Sequence, residues 1–229
     1  PLAYRKQGMV GRVSYMYDDR YSIEGNFGYT GSETFASGHR FGFFPAVGAA
    51  WYLSNEKFYS EKLSNIINKV KFRVSYGRTG NDNTGKSRFL YRQSMGSGGG
   101  YNVGYVDGAS NGGVGNSIIE GQFYAPEIGW EIEEKQNYGL ELGLFNNKID
   151  LQIDYFNNKR SDILLQRRTV GATTGFHVMP WQNFGIVKNQ GVDASLVLNQ
   201  SIGKVHLSGR ANFTFARNKI LEYDEIPQK

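Results

Sequence analysis

Along residues 21–30 the character of the chain changes at every step. Tyr21, Ile23, Gly25, Phe27 and Tyr29 fall on one side of an extended backbone, and Ser22, Glu24, Asn26, Gly28 and Thr30 on the other. Period-two alternation predicts a β-strand with one apolar and one polar face. The pattern recurs. Val70, Phe72, Val74 and Tyr76 oppose Lys71, Arg73, Ser75 and Gly77, and Ile149, Leu151, Ile153 and Tyr155 oppose Asp150, Gln152, Asp154 and Phe156. Near the end Val205, Leu207, Gly209, Ala211, Phe213 and Phe215 oppose His206, Ser208, Arg210, Asn212 and Thr214. These runs and the turn residues between them predict strands over 8–17, 20–30, 42–52, 69–79, 130–145, 148–159, 184–200 and 204–218.

The connections sort by length. Asp18-Asp19, Asn146-Asn147 and the 201–203 segment read as tight hairpins, all at one end of the sheet. The loops 31–41, 80–129 and 160–183 fall at the other end. One long connection sits on the tight side: in 53–68, Ser54 and Lys57 followed by Phe58, Leu63, Ile66 and Ile67 predict a short helix. Short turns at one end, long loops at the other and one aromatic-rich apolar face predict an all-β fold. The architecture expected is an antiparallel transmembrane β-barrel segment of about eight strands, part of a large barrel. A soluble sandwich also alternates. Two features favour the membrane. Glu24, Arg73, Glu141, Asp154 and Arg210 stand mid-strand on the polar face, as suits a watery lumen, and Tyr15, Tyr17, Tyr21, Trp51 and Tyr52 gather at strand ends, where an interfacial girdle lies.

Composition narrows the picture. Among 229 residues, Gly 30, Tyr 15 and Phe 15, with hydrophobic content of 39% and mean hydropathy of -0.48, describe strands and turns rather than a thick aliphatic core. No window approaches about 18 continuous apolar residues, which excludes a transmembrane helix but not a barrel. The 26 Lys and Arg against 21 Asp and Glu are scattered along strands and loops, so no nucleic-acid partner is expected. There is no cysteine, and His39, His177 and His206 lie far apart, so no metal site, cofactor or catalytic residue is expected. The N-terminal stretch PLAYRKQGMV has no apolar run behind its basic residues and does not read as a signal peptide.

One motif points elsewhere. Gly80 to Ser87, GNDNTGKS, fits the phosphate-cradling pattern G-x-x-x-x-G-K-[ST]. That loop requires a helix beginning at the Lys-Ser pair, and the following RFLYRQSMGSGGGYNVGY has no helical spacing. The match is expected to be an accident of a Gly-rich loop.

Longer words carry a family resemblance. GRVSYMYDDRYSIEGNFGYTGSETFASGHRFGFFPAVGAAWYLSNEKF resembles the barrel of the SusC/RagA family of TonB-dependent outer-membrane transporters, with its Y.Y..RY hairpin, GS..F loop and GFFP strand start. KFRVSYGRTGND is similar to that family's strand-to-loop signature. APEIGWEIEEKQNYGLELGLFNNKIDLQIDYFNNKRSDILL is similar to its long hairpin, and NFGIVKNQGVDASL to the strand after it. The resemblance covers nearly the whole chain, least clearly at 88–122 and 167–181.

The resemblance implies part of a large transporter barrel in the Gram-negative outer membrane. It imports a glycan or peptide nutrient with a SusD-like surface lipoprotein, and the TonB complex acts through a plug inside the barrel. No enzymatic residue is implied. Eight strands fall short of the roughly 22 of a large transporter barrel, and no plug is recognisable, so 1–229 is expected to be an internal piece whose sheet edges are covered by the remainder of the barrel. The alternative is a self-contained small outer-membrane barrel with a structural or binding role, since about eight strands suffice to close one. Residues 80–129 are expected to form a long extracellular loop region, its 96–115 stretch shaped by a partner. The ligand-binding candidates are Arg88, Tyr91, Tyr101, Tyr105 and Trp181, because flat rings stack on sugars and peptide groups.

Overall fold

The computed structural model describes residues 3–85, 88–102, 114–175 and 178–225. Ten strands are Lys6–Tyr17 (β1), Tyr21–Ser32 (β2), Phe41–Tyr52 (β3), Ile67–Asn81 (β4), Met95–Asn102 (β5), Val114–Glu120 (β6), Glu131–Leu144 (β7), Ile149–Gln166 (β8), Trp181–Ile202 (β9) and Val205–Glu222 (β10). Eight of them make one antiparallel sheet in the order β1-β2-β3-β4-β7-β8-β9-β10, and β5 and β6 form a separate hairpin inside the 80–129 loop. The all-β, antiparallel barrel-segment architecture expected from the alternation is the one found.

The turns follow backbone chemistry. Asp18 and Asp19 both have φ of 50°, Asn146 and Asn147 φ of 58° and 59°, and Gly203 φ of 61°. These residue types enter the left-handed region at least cost, so the chain reverses within a few residues. The resulting registers are continuous, with Tyr17 opposite Tyr21 in the first hairpin and Leu144 opposite Ile149 in the β7–β8 hairpin.

β1 and β10 lie at the two ends of the sheet and do not pair with each other among the described residues. The eight strands therefore leave an open sheet rather than the closed small barrel considered as an alternative.

Three local expectations are corrected. The helix anticipated from Ser54 is a 3-10 turn, Leu53–Asn55, followed by a four-residue helix, Glu61–Ser64. Its cap is Ser60, whose Oγ accepts the Leu63 N–H at 3.3 Å, and Ile67 leaves it to pair with Leu144. Second, β8 and β9 outrun their expected ends. Ladder pairing resumes at Ile163–Gly185 and, after a second register shift, continues from Leu164–Asn183; Asp162, between Arg160 and Ile163, has φ of 55°. That irregularity breaks the alternation, so the extension is invisible to a period-two pattern. Third, the Gly-rich loop contains a hairpin, Met95 opposite Glu120.

Among the described residues only four apolar side chains are buried: Phe35, Val70, Leu90 and Ile128. A soluble sandwich of this length would hide the inner face of each sheet. Here the apolar face is the open one: along β2, Tyr21, Ile23, Phe27 and Tyr29 are exposed while Ser22, Glu24, Asn26 and Thr30 are half-buried. Greater shielding of the polar side is what a sheet rolled toward its polar face produces. Among the described residues no helix is long and apolar enough to cross a membrane.

Candidate functional site

The outward face is built from cross-strand aromatic contacts. Toward the short-turn end the register aligns Tyr17, Tyr21, Trp51 and Phe72 across β1 to β4, with Trp51 and Phe72 ring centroids 6.1 Å apart. Toward the long-loop end Tyr29 stacks on Phe41 at 5.2 Å and Phe27 meets Phe43 at 6.2 Å. Gly31 makes room for the first pair, because a Cβ there would stand 2.6 Å from the Phe41 ring. From Tyr21 to Tyr29 the strand runs about 26 Å, or roughly 20 Å in height at the usual barrel tilt, close to the apolar band of an outer-membrane barrel. Ile23, Val47 and Val74 occupy the interval.

The opposite face carries ions. Glu141 on β7 meets Lys69 Nζ at 2.7 Å, Lys71 Nζ at 3.5 Å and Arg73 Nε at 2.9 Å, all from β4. Arg73 Nη2 also grips both Asp154 oxygens on β8, at 3.0 and 3.1 Å, and Gln152 Nε2 donates to Asp154 at 2.8 Å. On the first hairpin, Arg12 pairs with Glu24 at 2.5 Å and Asn26 donates to the same carboxylate at 2.7 Å. Asp193 on β9 stands directly opposite Asp154 in register and has no cation partner among the described residues. A surface of paired and unpaired charge lining a sheet is suited to contact with water or a polar partner. Most of these pairs are half exposed, and each stabilises the fold by no more than about 1 kcal/mol.

The short-turn end is tied by one carboxylate. Glu56, in the β3–β4 connection, accepts from Tyr21 Oη at 2.5 Å, Trp51 Nε1 at 3.0 Å and Arg20 Nη1 at 3.1 Å. The Tyr21 and Trp51 hydrogen bonds, with Arg20 behind them, hold the Glu56 carboxyl below its usual range. Arg20 also pairs with Asp18. Two rings of the outward row thus turn their polar atoms to the boundary, as rings at an apolar–aqueous interface do.

At the long-loop end the rules reverse. Phe35, Leu90 and Ile128 form a buried cluster against which Ala125, Trp130, Leu164 and Trp181 pack, joining three long loops above the sheet. Trp130 touches Phe35 and, at 5.2 Å, Phe44, and donates Nε1–H to the Arg40 carbonyl oxygen at 3.0 Å. Beside it Asp82, buried, accepts from Tyr4 Oη, Ser32 Oγ and Lys6 Nζ, each at 2.6 Å. Burial alone would raise the Asp82 carboxyl, but the bonds from Lys6, Ser32 and Tyr4 prevail and hold it below its ordinary range.

Of the candidate ligand residues, Arg88, Tyr91 and Trp181 fall at this same end. Arg88 pairs with Glu33, donates to the Ala3 carbonyl and lies over the Tyr4 and Phe89 rings at 5.4 and 4.8 Å. Tyr91 meets Phe89 edge-on at 5.9 Å. Trp181, half-buried, begins β9 against the loop cluster. Tyr101 lies in β5, the hairpin arm of the Gly-rich loop, and Tyr105 lies outside the described residues, as do Lys86 and Ser87 of the phosphate-like motif. In that motif, Asp82 ties strands together and Gly80 lies under the Phe44 ring. Sequence reasoning missed Asp82, Glu56 and Phe35, whose partners, apart from Trp51 beside Glu56, sit tens of residues away. The one local clue was Asp82's place in the SYGRTGND word.

A family model described as TonB dependent receptor-like, beta-barrel matches residues 11–228. A TonB-dependent receptor of Formosa agariphila is 29% identical over 215 residues, 93% of this chain and 19% of the relative. The TonB-dependent receptor SusC of Bacteroides thetaiotaomicron is 28% identical over 187 residues, 81% of this chain and 18% of SusC. Among solved structures, that of the RagAB peptide importer in the open-open state superposes with a TM-score of 0.79 at 25% identity, over 96% of this chain and 22% of that one. The chain spans about a fifth of the length of the curated relatives it matches.

Proposed function

We propose, from the premise that this chain belongs to the TonB dependent receptor-like β-barrel family, that it forms part of the wall of an outer-membrane active transporter for nutrients. One observation carries the reading: along β2 and β3 the apolar side chains that look outward are exposed while the other face is half-buried, which suits lipid outside and a watery lumen inside. In this reading β1 and β10 pair with further strands of the barrel, and Asp154 and Asp193 face the lumen. Residues 80–129 reach into the extracellular medium, where Arg88, Tyr91, Tyr101, Tyr105 and Trp181 contribute to the capture of an oligosaccharide or oligopeptide. A SusD-like surface lipoprotein closes over that mouth, and TonB supplies the energy through a plug. No catalytic step belongs to this role. The likeness to the RagAB peptide importer supports the oligopeptide class; the oligosaccharide class and the lipoprotein partner rest on the resemblance of the sequence words to the SusC/RagA family.

Uptake by cells with and without the full-length receptor tests this. With radiolabelled oligosaccharide and oligopeptide pools, deletion is expected to abolish energy-dependent uptake of one pool, and collapse of the proton-motive force to do the same. Unchanged uptake of both pools after deletion contradicts the proposal.

A further inference from the structure

On the outward side, just past the Tyr29–Phe41 stack, the long-loop end holds a recess of about 450 Å³. Arg5, Arg40 and Arg92 line it together with Phe41, Phe89 and Tyr91. None of these three guanidinium groups has a carboxylate partner among the described residues. Arg40 donates Nε–H to the Phe35 carbonyl oxygen at 3.2 Å, and Arg92 lies over the Phe89 and Tyr91 rings at 5.3 and 5.8 Å. The other charges at the recess are matched already, Glu33 by Arg88 and Lys6 by Asp82. Three unmatched cations therefore sit on an aromatic shelf at the upper edge of the apolar band. Guanidinium forks fit phosphate oxygens, and flat rings fit the faces of sugars.

We propose that this recess binds the phosphorylated glycolipid headgroup of the outer membrane's outer leaflet, with Arg5, Arg40 and Arg92 on its phosphates and Phe41 and Phe89 against its sugars and upper acyl chains. The recess reaches the lipid side through Gln7, Gly31 and Phe41, which belong to the outward row, while Lys6 and Ser32 at its back alternate onto the polar face and are engaged by Asp82. Basic pockets at a membrane boundary attract anionic headgroups by about 1 kcal/mol per cation. This inference rests on the barrel-wall reading above.

The test uses the full-length receptor in nanodiscs and three probes: bis-phosphorylated lipid A, its enzymatically dephosphorylated form, and inorganic phosphate. Wild type is expected to bind the phosphorylated lipid about tenfold or more tighter than the dephosphorylated one, with no binding of free phosphate in the same range. Arg5→Glu with Arg92→Glu is expected to remove that preference. Lys57→Glu with Lys62→Glu, exposed at the short-turn end and equal in charge change, is expected to keep it. Heat-modifiable gel mobility shows that each variant is folded. Equal binding of both lipids by wild type, a preference that survives in the folded double arginine variant, or free phosphate competing as well as the lipid overturns the proposal. Fractionation with the outer membrane is scored separately, so a receptor that inserts but ignores lipid phosphates refutes this site alone, whereas one absent from the membrane refutes the reading beneath it.

Discussion

Ile23 and Phe35 are neighbours in sequence and obey opposite rules. Ile23, in the middle of β2, is 57% exposed, whereas Phe35, in the loop that follows, is 1% exposed. Around Ile23 the apolar residues look out and the polar positions of the strand are half-buried; around Phe35 an apolar cluster is sealed. One chain cannot minimise its free energy in a single solvent under both rules. The difference teaches that the sheet and the loop end meet different surroundings, hydrocarbon in the first case and water in the second.

The comparison can be broken at several points. Phe35→Ala empties the loop cluster and is expected to cost about 3–5 kcal/mol locally; the loops should become protease-sensitive while heat-modifiable mobility of the barrel persists. Val74→Arg places a charge in the outward band, at an expected cost of about 2–4 kcal/mol near mid-membrane. It should reduce the folded, membrane-inserted fraction and leave loop proteolysis of the inserted protein unchanged. A soluble sheet would tolerate that substitution, since Val74 is already 45% exposed.

Asp82→Asn should weaken the loop-end tie by about 1–3 kcal/mol. Because Asp82 titrates below its ordinary 3.8 in the folded chain, its contribution is fully present above that value and is lost as pH falls through the lower, folded one. Loop proteolysis should therefore rise in strong acid in the wild type, and the Asn variant should lack this component. Smallest of all, Arg12→Ala removes an exposed pair with Glu24 on the polar face and should leave the midpoint of a denaturant titration nearly unchanged.

Much of the sheet was legible because its signal is local. Tyr21 to Thr30 states its two faces outright, and Asp18-Asp19 and Asn146-Asn147 announce their turns. What stayed hidden depends on distant partners. Nothing near Glu56 says that Arg20, Tyr21 and Trp51 will converge on it, and nothing near Asp82 names Tyr4, Lys6 and Ser32. The register shift beside Asp162 concealed the upper part of β8 by interrupting its alternation, and the β5–β6 pairing was masked by glycines that carry no pattern. The family words filled part of that gap, since SYGRTGND marked the strand end at which Asp82 sits.

The most direct test of the account is which medium each face touches. The chain contains no cysteine, so single substitutions from Tyr21→Cys to Thr30→Cys in an otherwise cysteine-free full-length receptor can each carry one nitroxide in a lipid bilayer. Collision with oxygen, which concentrates in hydrocarbon, should peak at 21, 23, 25, 27 and 29, and collision with a water-soluble nickel chelate at 22, 24, 26, 28 and 30. Loss of the alternation, or the same alternation with the two quenchers exchanged, would contradict a lipid-facing apolar band and with it the transporter wall.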